Sequence, residues 1–302
     1  AGAAAREMLL ASAAKTWSVD RSTCRAEQGV IMHIPSRRKL SYGELALVAS
    51  QLDVPQDIPL KDPADFHLIG TQTHRLDTRE KVEGTAKFGL DVNVPGMLYA
   101  VVARCPVFGG KVKSFNAKRA KGMPGVRHVV EIESGVAVAA DSTWNAIQGR
   151  KALDILWDEG EHALLSSASI HAMLEHSSSK AGAVLEENGD LNALHQAATT
   201  IDAVYELPFL AHATMEPINC TADVKPDRCE IWVPTQSAQW ARTAAAGKLG
   251  LKDDQVTVHV TYLGGGFGRR FDPDAAIEAV SISKAVAAPV KVVWTRDDDL
   301  EH

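Results

Sequence analysis

Residues 256–270 read VTVHVTYLGGGFGRR and are the most informative part of the sequence. Its first seven residues alternate apolar and polar side chains, which predicts a β-strand. Four glycines then fall within positions 264–268, where they let the backbone turn sharply and present bare amides to a ligand. A helix is predicted next, from about 273 to 287. If this helix begins near Asp272, its positive dipole end favours an anion such as a phosphate.

Two familiar phosphate-binding motifs do not match this glycine loop. A dinucleotide-binding G-x-G-x-x-G counted from Gly264 requires glycine at position 269, where the chain has arginine. Counted from Gly266 it requires glycine at position 271, which is Phe271. No Gly-Lys-Ser/Thr follows, so the P-loop is excluded as well. Asp297 lies after the following predicted strand, as the acidic residue of a dinucleotide-binding fold does. The spacing of the glycines nevertheless argues against a nicotinamide dehydrogenase. A flexible loop without a ligand remains the alternative.

Composition describes an ordinary globular protein. The 302 residues include 38 acidic and 32 basic side chains, for a net charge of −6. The hydrophobic share of 45% and charged share of 23% exclude a disordered or fibrous chain. No apolar run reaches 18 residues, which argues against a transmembrane helix. The mildly acidic balance also argues against a nucleic-acid partner.

The order of predicted elements indicates an α+β protein. An N-terminal helix over 3–17, a hairpin and a capped helix come first, and prolines at every fourth position in 55–63 then predict an extended linker. Short β-rich runs dominate 97–140. A strand is also predicted over 200–207, from its β-rich composition.

Several residues outside the glycine loop can be interpreted as structural or as functional. Cys220 and Cys229 face each other across a predicted hairpin or are two buried free thiols, and no C-x-x-C motif supports a thiolate metal site or iron–sulfur cluster. His212 and Glu216 have the spacing of a helical metal pair, but Pro217 argues against a helix there. We therefore expect a packed, hydrogen-bonded histidine and a structural carboxylate. Phe209 and Met215 are expected to fill core.

The loop at 264–268 resembles the molybdopterin-site loop of the xanthine dehydrogenase/aldehyde oxidase family. Residues 83–99, with EGTAKFGLD and PGMLY, resemble the opening of that family's a/b hammerhead domain, and MPGV at 123–126 resembles its later hallmark. AHATMEP at 211–217 is most similar to the isoquinoline 1-oxidoreductase β-subunit and cytochrome-linked aldehyde dehydrogenase branch. Thr235-Gln236 and WTRDD at 294–298 also follow the family order.

This resemblance implies a fold and a reaction. It implies a partial cofactor-binding region with a linker over 1–65, a hammerhead domain over 66–160, and the first part of the molybdopterin-binding domain over 161–302. The implied activity is oxidation of an aldehyde or N-heteroaromatic compound, with water as the oxygen source. The implied cofactor is a molybdopterin-type molybdenum cofactor, with [2Fe-2S] clusters on a small partner subunit and a cytochrome c as a candidate electron acceptor. Members of this branch are often periplasmic.

The resemblance also assigns site residues. Gly264, Gly265, Gly266, Phe267, Gly268 and Arg269 are the implied cofactor-binding residues, with Arg269 facing a phosphate or pterin oxygen or remaining a surface arginine. Leu210 and Phe271 stand where xanthine-oxidising members have a glutamine and a glutamate. They imply an apolar substrate pocket and no xanthine turnover.

The catalytic base of the family is a glutamate in a G-x-G-E segment, and this chain contains no such segment. We therefore expect a fragment of a large subunit that is inactive alone. A non-catalytic structural or partner-binding module without cofactor is the alternative.

Overall fold

The structure is a computed structural model that describes residues 1–302. Its contacts divide the chain into two compact units, Ala1–Arg79 and Glu80–His302. The helices are α1 (Gly2–Trp17), α2 (Tyr42–Ala49), α3 (Thr78–Val82), α4 (Lys118–Lys121), α5 (Thr143–Lys151), α6 (Ser167–Ser178), α7 (Ala238–Leu249), α8 (Asp274–Val286) and α9 (Arg296–Glu301). No helix is both long enough and apolar enough to cross a membrane.

The strands fall into three sheets. They are β1 (Cys24–Glu27), β2 (Val30–His33), β3 (Lys39–Ser41), β4 (Leu98–Ala103), β5 (Lys111–Asn116), β6 (Val126–Ile132), β7 (Gly135–Ala140), β8 (Asp154–Asp158), β9 (Asn219–Val224), β10 (Cys229–Val233), β11 (Val256–Val260) and β12 (Val290–Val293). The first three strands form one sheet and β5 pairs with β8. The remaining strands form a seven-stranded sheet in the order β11-β10-β9-β12-β4-β7-β6.

The N-terminal unit forms the predicted hairpin and capped helix. Gln28 and Gly29 both have positive φ, 48° and 82°, and this turn joins β1 to β2 with the twist that a two-residue hairpin loop requires. Ser41 caps α2 in a capping box with Glu44, as predicted. Ile31 and Leu45 are buried in a small core beneath α1.

The large sheet joins strands from two distant parts of the sequence. β10 and β11 are parallel, β12 and β4 are parallel, and the other neighbours are antiparallel. Alternate residues of β4 serve opposite faces of the sheet. Ala100 and Val102 belong to the main core with α7 and α8, while Val101 packs with Ala146 of α5. The sheet thus has helices on both faces, in a mixed α/β arrangement.

One predicted strand is absent. The region 200–207 contains no regular element, and its large apolar side chains are exposed. The apolar residues favour a strand by composition, but no neighbouring strand supplies backbone partners. Because β-structure depends on cross-strand pairing, composition alone was not sufficient here.

A buried ionic cluster lies between the sheet and helices α5, α8 and α9. Arg104 Nε donates to Glu278 Oε1 at 2.9 Å, and its guanidinium carbon lies 3.8 Å from the centre of the Trp294 ring. Arg150 donates to Asp298 at 2.7 Å. Burial opposes ionisation of Asp298, but the Arg150 and Thr295 hydrogen bonds hold its pKa below the usual value.

All four cysteines are free and buried. Burial raises the pKa of Cys220, and it raises the pKa of Cys229 to about 12. The thiolate is the reactive form of cysteine, so these groups should be inert at neutral pH. We expect Ellman's reagent to find no reactive thiol in the folded chain and four in guanidinium chloride. Rapid reaction of Cys220 or Cys229 under native conditions would contradict this packing.

Candidate functional site

The glycine loop, residues 264–268, directly follows the end of β11 and has an unusual backbone. Gly265 and Gly268 have φ values of +106° and +100°, a region that side chains rarely adopt. Phe267 also has a positive φ of 53°, and 77% of its surface is exposed. A buried Phe would indicate a packing role. This exposed Phe instead stands at the tip of a loop whose conformation depends on its glycines.

Three backbone amides of this loop have no acceptor within the protein. They belong to Gly265, Gly266 and Phe267 and are called the free amides below. The next amide, of Gly268, donates to Gln236 Oε1 at 3.1 Å. Consecutive unpaired amides in a loop are suited to anionic oxygen atoms. This donor set therefore fits an oxo group or phosphate of a molybdopterin cofactor.

The loop packs tightly against Gln236 and Thr214, which leaves little room for larger residues. A Cβ added at Gly266 would lie 2.6 Å from Gln236 Oε1, and one at Gly265 would lie 3.3 Å from Thr214 Cβ. Sequence reasoning placed Gln236 in the family order without giving it a role. Its position before α7 was the only available signal.

Glu216 contacts the start of the loop from the protein interior. Its carboxylate is buried and accepts from the amides of Leu90 (Oε1, 3.1 Å) and Gly264 (Oε2, 3.0 Å). Asn219 Nδ2 also donates to Oε1 at 3.0 Å. The Glu216 amide donates to the Gly264 carbonyl at 3.0 Å, so backbone and side chain both bind that glycine. The expectation of a structural carboxylate is confirmed.

Arg270 completes this support. Its guanidinium is buried and lies 3.3 Å from Glu216 Oε2, and Nε donates to the Gly265 carbonyl at 2.7 Å. Nη2 also donates to the carbonyls of Glu216 and Pro217. Burial lowers the pKa of Arg270, and the Glu216 carboxylate acts in the opposite direction. Nothing in the sequence indicated a role for Arg270, because a second arginine after the loop belongs to no recognised motif.

Arg269 has partners of its own. Its Nη2 lies 2.6 Å from Asp274 Oδ2, and its guanidinium carbon lies 5.0 Å from the centre of the Trp294 ring. The helix expected near Asp272 begins at Asp274, after a 3₁₀ turn at Arg269–Phe271. Its first turn therefore carries a carboxylate, and residues 269–273 separate it from the glycine loop in the sequence.

Phe271 and Leu210 occupy different surroundings. Phe271 packs edge-on against Trp240, with ring centres 4.9 Å apart, and is 52% exposed. Leu210 lies in the exposed segment that leads to the loop-supporting residues and is 79% exposed. Their role in a substrate pocket stays a prediction.

Three expectations about residues near Leu210 were wrong. Phe209 and Met215 are exposed instead of filling core. His212 is exposed too, and its Nε2 lies 4.0 Å from where a Cβ of Gly268 would stand. All three lie in the irregular segment before β9, which pairs with no strand, so these side chains do not enter the core.

Residues 170–302 match the family model described as molybdopterin cofactor-binding domain. The chain is 32% identical to isoquinoline 1-oxidoreductase subunit beta of Brevundimonas diminuta, covering 100% of this chain and 44% of that relative. It is 30% identical to a membrane-bound aldehyde dehydrogenase [pyrroloquinoline-quinone] of Gluconacetobacter polyoxogenes, covering 100% and 41%. The chain thus spans less than half the length of these relatives.

Solved structures share the mixed α/β fold. Quinoline 2-oxidoreductase from Pseudomonas putida 86 superposes with a TM-score of 0.60 at 20% identity, over 76% of this chain and 35% of that one. The aldehyde oxidoreductase from Desulfovibrio gigas superposes with a TM-score of 0.59 at 19% identity, over 86% and 34%. The chain thus contains a match to the molybdopterin cofactor-binding domain over residues 170–302, and over its length it is similar to molybdenum-binding oxidoreductase subunits.

Proposed function

We propose that this chain forms part of the large subunit of a molybdenum hydroxylase and that its glycine loop binds the molybdopterin cofactor. The observation that carries the proposal is the run of three free amides at Gly265, Gly266 and Phe267, in a loop held by the buried side chains of Glu216 and Arg270. A flexible loop without a ligand would not require a buried carboxylate and guanidinium behind it.

Residues of this chain bind the cofactor and hold it in one orientation. The free amides donate hydrogen bonds to oxygen atoms of the cofactor, and Gln236 keeps the Gly268 amide fixed beside them. Backbone donors fixed in advance stabilise negative charge without reorganising. Arg269 is proposed to contact a phosphate or pterin oxygen, and in this structure its Nη2 binds Asp274. The bound cofactor supplies the redox chemistry of hydroxylation, and the catalytic base has no candidate in this chain.

The finer domain assignment follows the family resemblance. We propose a partial cofactor-binding region over 1–65, an a/b hammerhead domain over 66–160 and the first part of the molybdopterin-binding domain over 161–302. We also propose a small subunit with [2Fe-2S] clusters as partner and a cytochrome c as electron acceptor. The name of one relative, isoquinoline 1-oxidoreductase subunit beta, supports a multi-subunit complex.

An aldehyde or apolar N-heteroaromatic substrate is proposed from Leu210 and Phe271. By the family resemblance, both residues stand where xanthine-oxidising members have a glutamine and a glutamate that would pair with a purine. A pocket that lacks those hydrogen-bonding groups discriminates strongly against a substrate that depends on them. The relatives named for isoquinoline and aldehyde oxidation support this substrate class.

The substrate proposal is tested with the complete subunit assembled with its iron–sulfur partner. We expect oxidation of benzaldehyde or isoquinoline with incorporation of oxygen from isotopically labelled water, and no turnover of xanthine. Phe271→Glu should have little effect on the stability of the folded chain, because the side chain is half exposed. It should lower turnover of the apolar substrate. Efficient xanthine oxidation by the wild-type complex would overturn the proposed substrate class.

A further inference from the structure

A buried ion pair lies directly behind the glycine loop. The Glu216 carboxylate accepts from the Gly264 amide, and the Arg270 guanidinium donates to the next carbonyl, of Gly265. We infer that Glu216 and Arg270 are positioning residues that hold the three free amides toward the ligand. The inference rests on the proposed function for the nature of that ligand, and on the contacts described here for everything else.

The hydrogen-bond directions at position 216 require a carboxylate. Leu90 and Asn219 both donate to Oε1, while Gly264 and Arg270 contact Oε2 through N–H groups. All four partners are therefore donors, and only an ionised carboxylate offers acceptors on both sides. Glutamine in the same place would direct its own NH₂ group at two of these donors.

The contacts of Arg270 require a guanidinium group, whose planar shape fixes the directions of its N–H donors. Nε binds the Gly265 carbonyl while Nη2 binds the Glu216 carbonyl, so the guanidinium joins the loop to the segment before β9. Lysine retains the charge but has a single donor position at the end of a flexible chain. It can satisfy one of these two carbonyls, not both.

The support extends from the loop to the central sheet. The amide of Leu90 binds Glu216, and its carbonyl accepts from Lys291 Nζ at 2.6 Å. Lys291 lies in β12, a central strand of the large sheet, and is buried. A continuous series of hydrogen bonds thus runs from β12 through Leu90 and Glu216 to the loop. This arrangement explains how a glycine-rich segment can keep one conformation.

Hydrogen exchange tests the inference on the 302-residue chain. Exchange over the peptide 263–271 is compared for wild type, Glu216→Gln, Arg270→Lys and the control Glu278→Gln. Glu278 is an equally buried carboxylate in the same compact unit, but its partners are Arg104, Ser134 and Trp294. We expect Glu216→Gln and Arg270→Lys to accelerate exchange of the hydrogen-bonded amides of this peptide roughly tenfold or more, because a charge-assisted bond is lost. These amides belong to Gly264, Gly268, Arg269 and Phe271. Glu278→Gln should lower stability without this local effect.

Cofactor retention provides the second measurement, made on the complete subunit from cells that synthesise molybdopterin. Both loop-support variants should lose most bound pterin, whereas Glu278→Gln should retain it in the fraction that folds. The inference is overturned if both variants lose stability as the control does while the loop exchanges at the wild-type rate. Absence of pterin from the wild-type subunit would instead refute the proposed function, and the exchange comparison would still decide the positioning role.

Discussion

Replacing Gly264 with alanine is expected to destabilise the chain by roughly 3–5 kcal/mol, because the new methyl group overlaps the Cβ of Glu216. Neither group has space to move. The Glu216 carboxylate is fixed by donors from Leu90, Asn219 and Gly264 itself. The substitution therefore displaces a buried charge from its partners as well as overpacking the site. Denaturant unfolding of both proteins measures the effect.

Gly247→Ala provides the matched control. Gly247 lies inside α7, and a Cβ there meets no atom within 4 Å. Glycine costs a helix about 0.5–1 kcal/mol relative to alanine, so this substitution should stabilise the chain slightly. If Gly264→Ala were as stable as Gly247→Ala, the close packing of Gly264 on Glu216 would be wrong.

Replacing Arg104 with alanine is expected to cost roughly 3–5 kcal/mol, since it leaves the Glu278 carboxylate buried without its cation. Glu278 retains hydrogen bonds from Ser134 and Trp294, but neither group carries charge. The guanidinium also covers one face of the Trp294 ring. Its removal therefore loses packing as well as charge, and thermal and denaturant unfolding should both register the loss.

Arg127→Ala is the comparison for an exposed pair. Arg127 forms a two-point contact with Asp141 at 2.7 and 2.8 Å, and both side chains are largely exposed. Exposed pairs contribute little to stability because water and salt screen them, so Arg127→Ala should cost far less than Arg104→Ala. Equal losses for Arg104→Ala and Arg127→Ala would contradict the burial of the Arg104–Glu278 pair.

Local signals predicted most secondary structure. The Ser41 capping box and the Gln28-Gly29 turn are encoded within a few residues, and both are found in the structure. The alternation of apolar and polar residues from Val256 onward predicted β11. The region 200–207 shows where this approach fails. Its apolar residues suggest a strand, but a strand forms only where another strand pairs with it, and sequence composition does not contain that information.

The candidate site was predicted only in part. Four glycines in five residues are visible in sequence and identify the loop. The residues that hold the loop were harder to predict. Glu216 lies 48 positions from Gly264 in the sequence, and nothing near Glu216 indicates that its carboxylate accepts from the Gly264 amide. Arg270 follows the predicted site residue Arg269, but the two guanidinium groups have different partners. Long-range hydrogen bonds of this kind become apparent only once the chain is folded.

The pterin and molybdenum content of the complete subunit tests the central claim most directly. Wild type, Gly265→Ala and Gly247→Ala are purified from cells that synthesise molybdopterin. A side chain at position 265 is strained at its φ of +106°, so Gly265→Ala should turn the free amides away from the ligand. We expect bound cofactor in wild type and Gly247→Ala, and little in Gly265→Ala. Equal cofactor in all three proteins would contradict binding by the glycine loop.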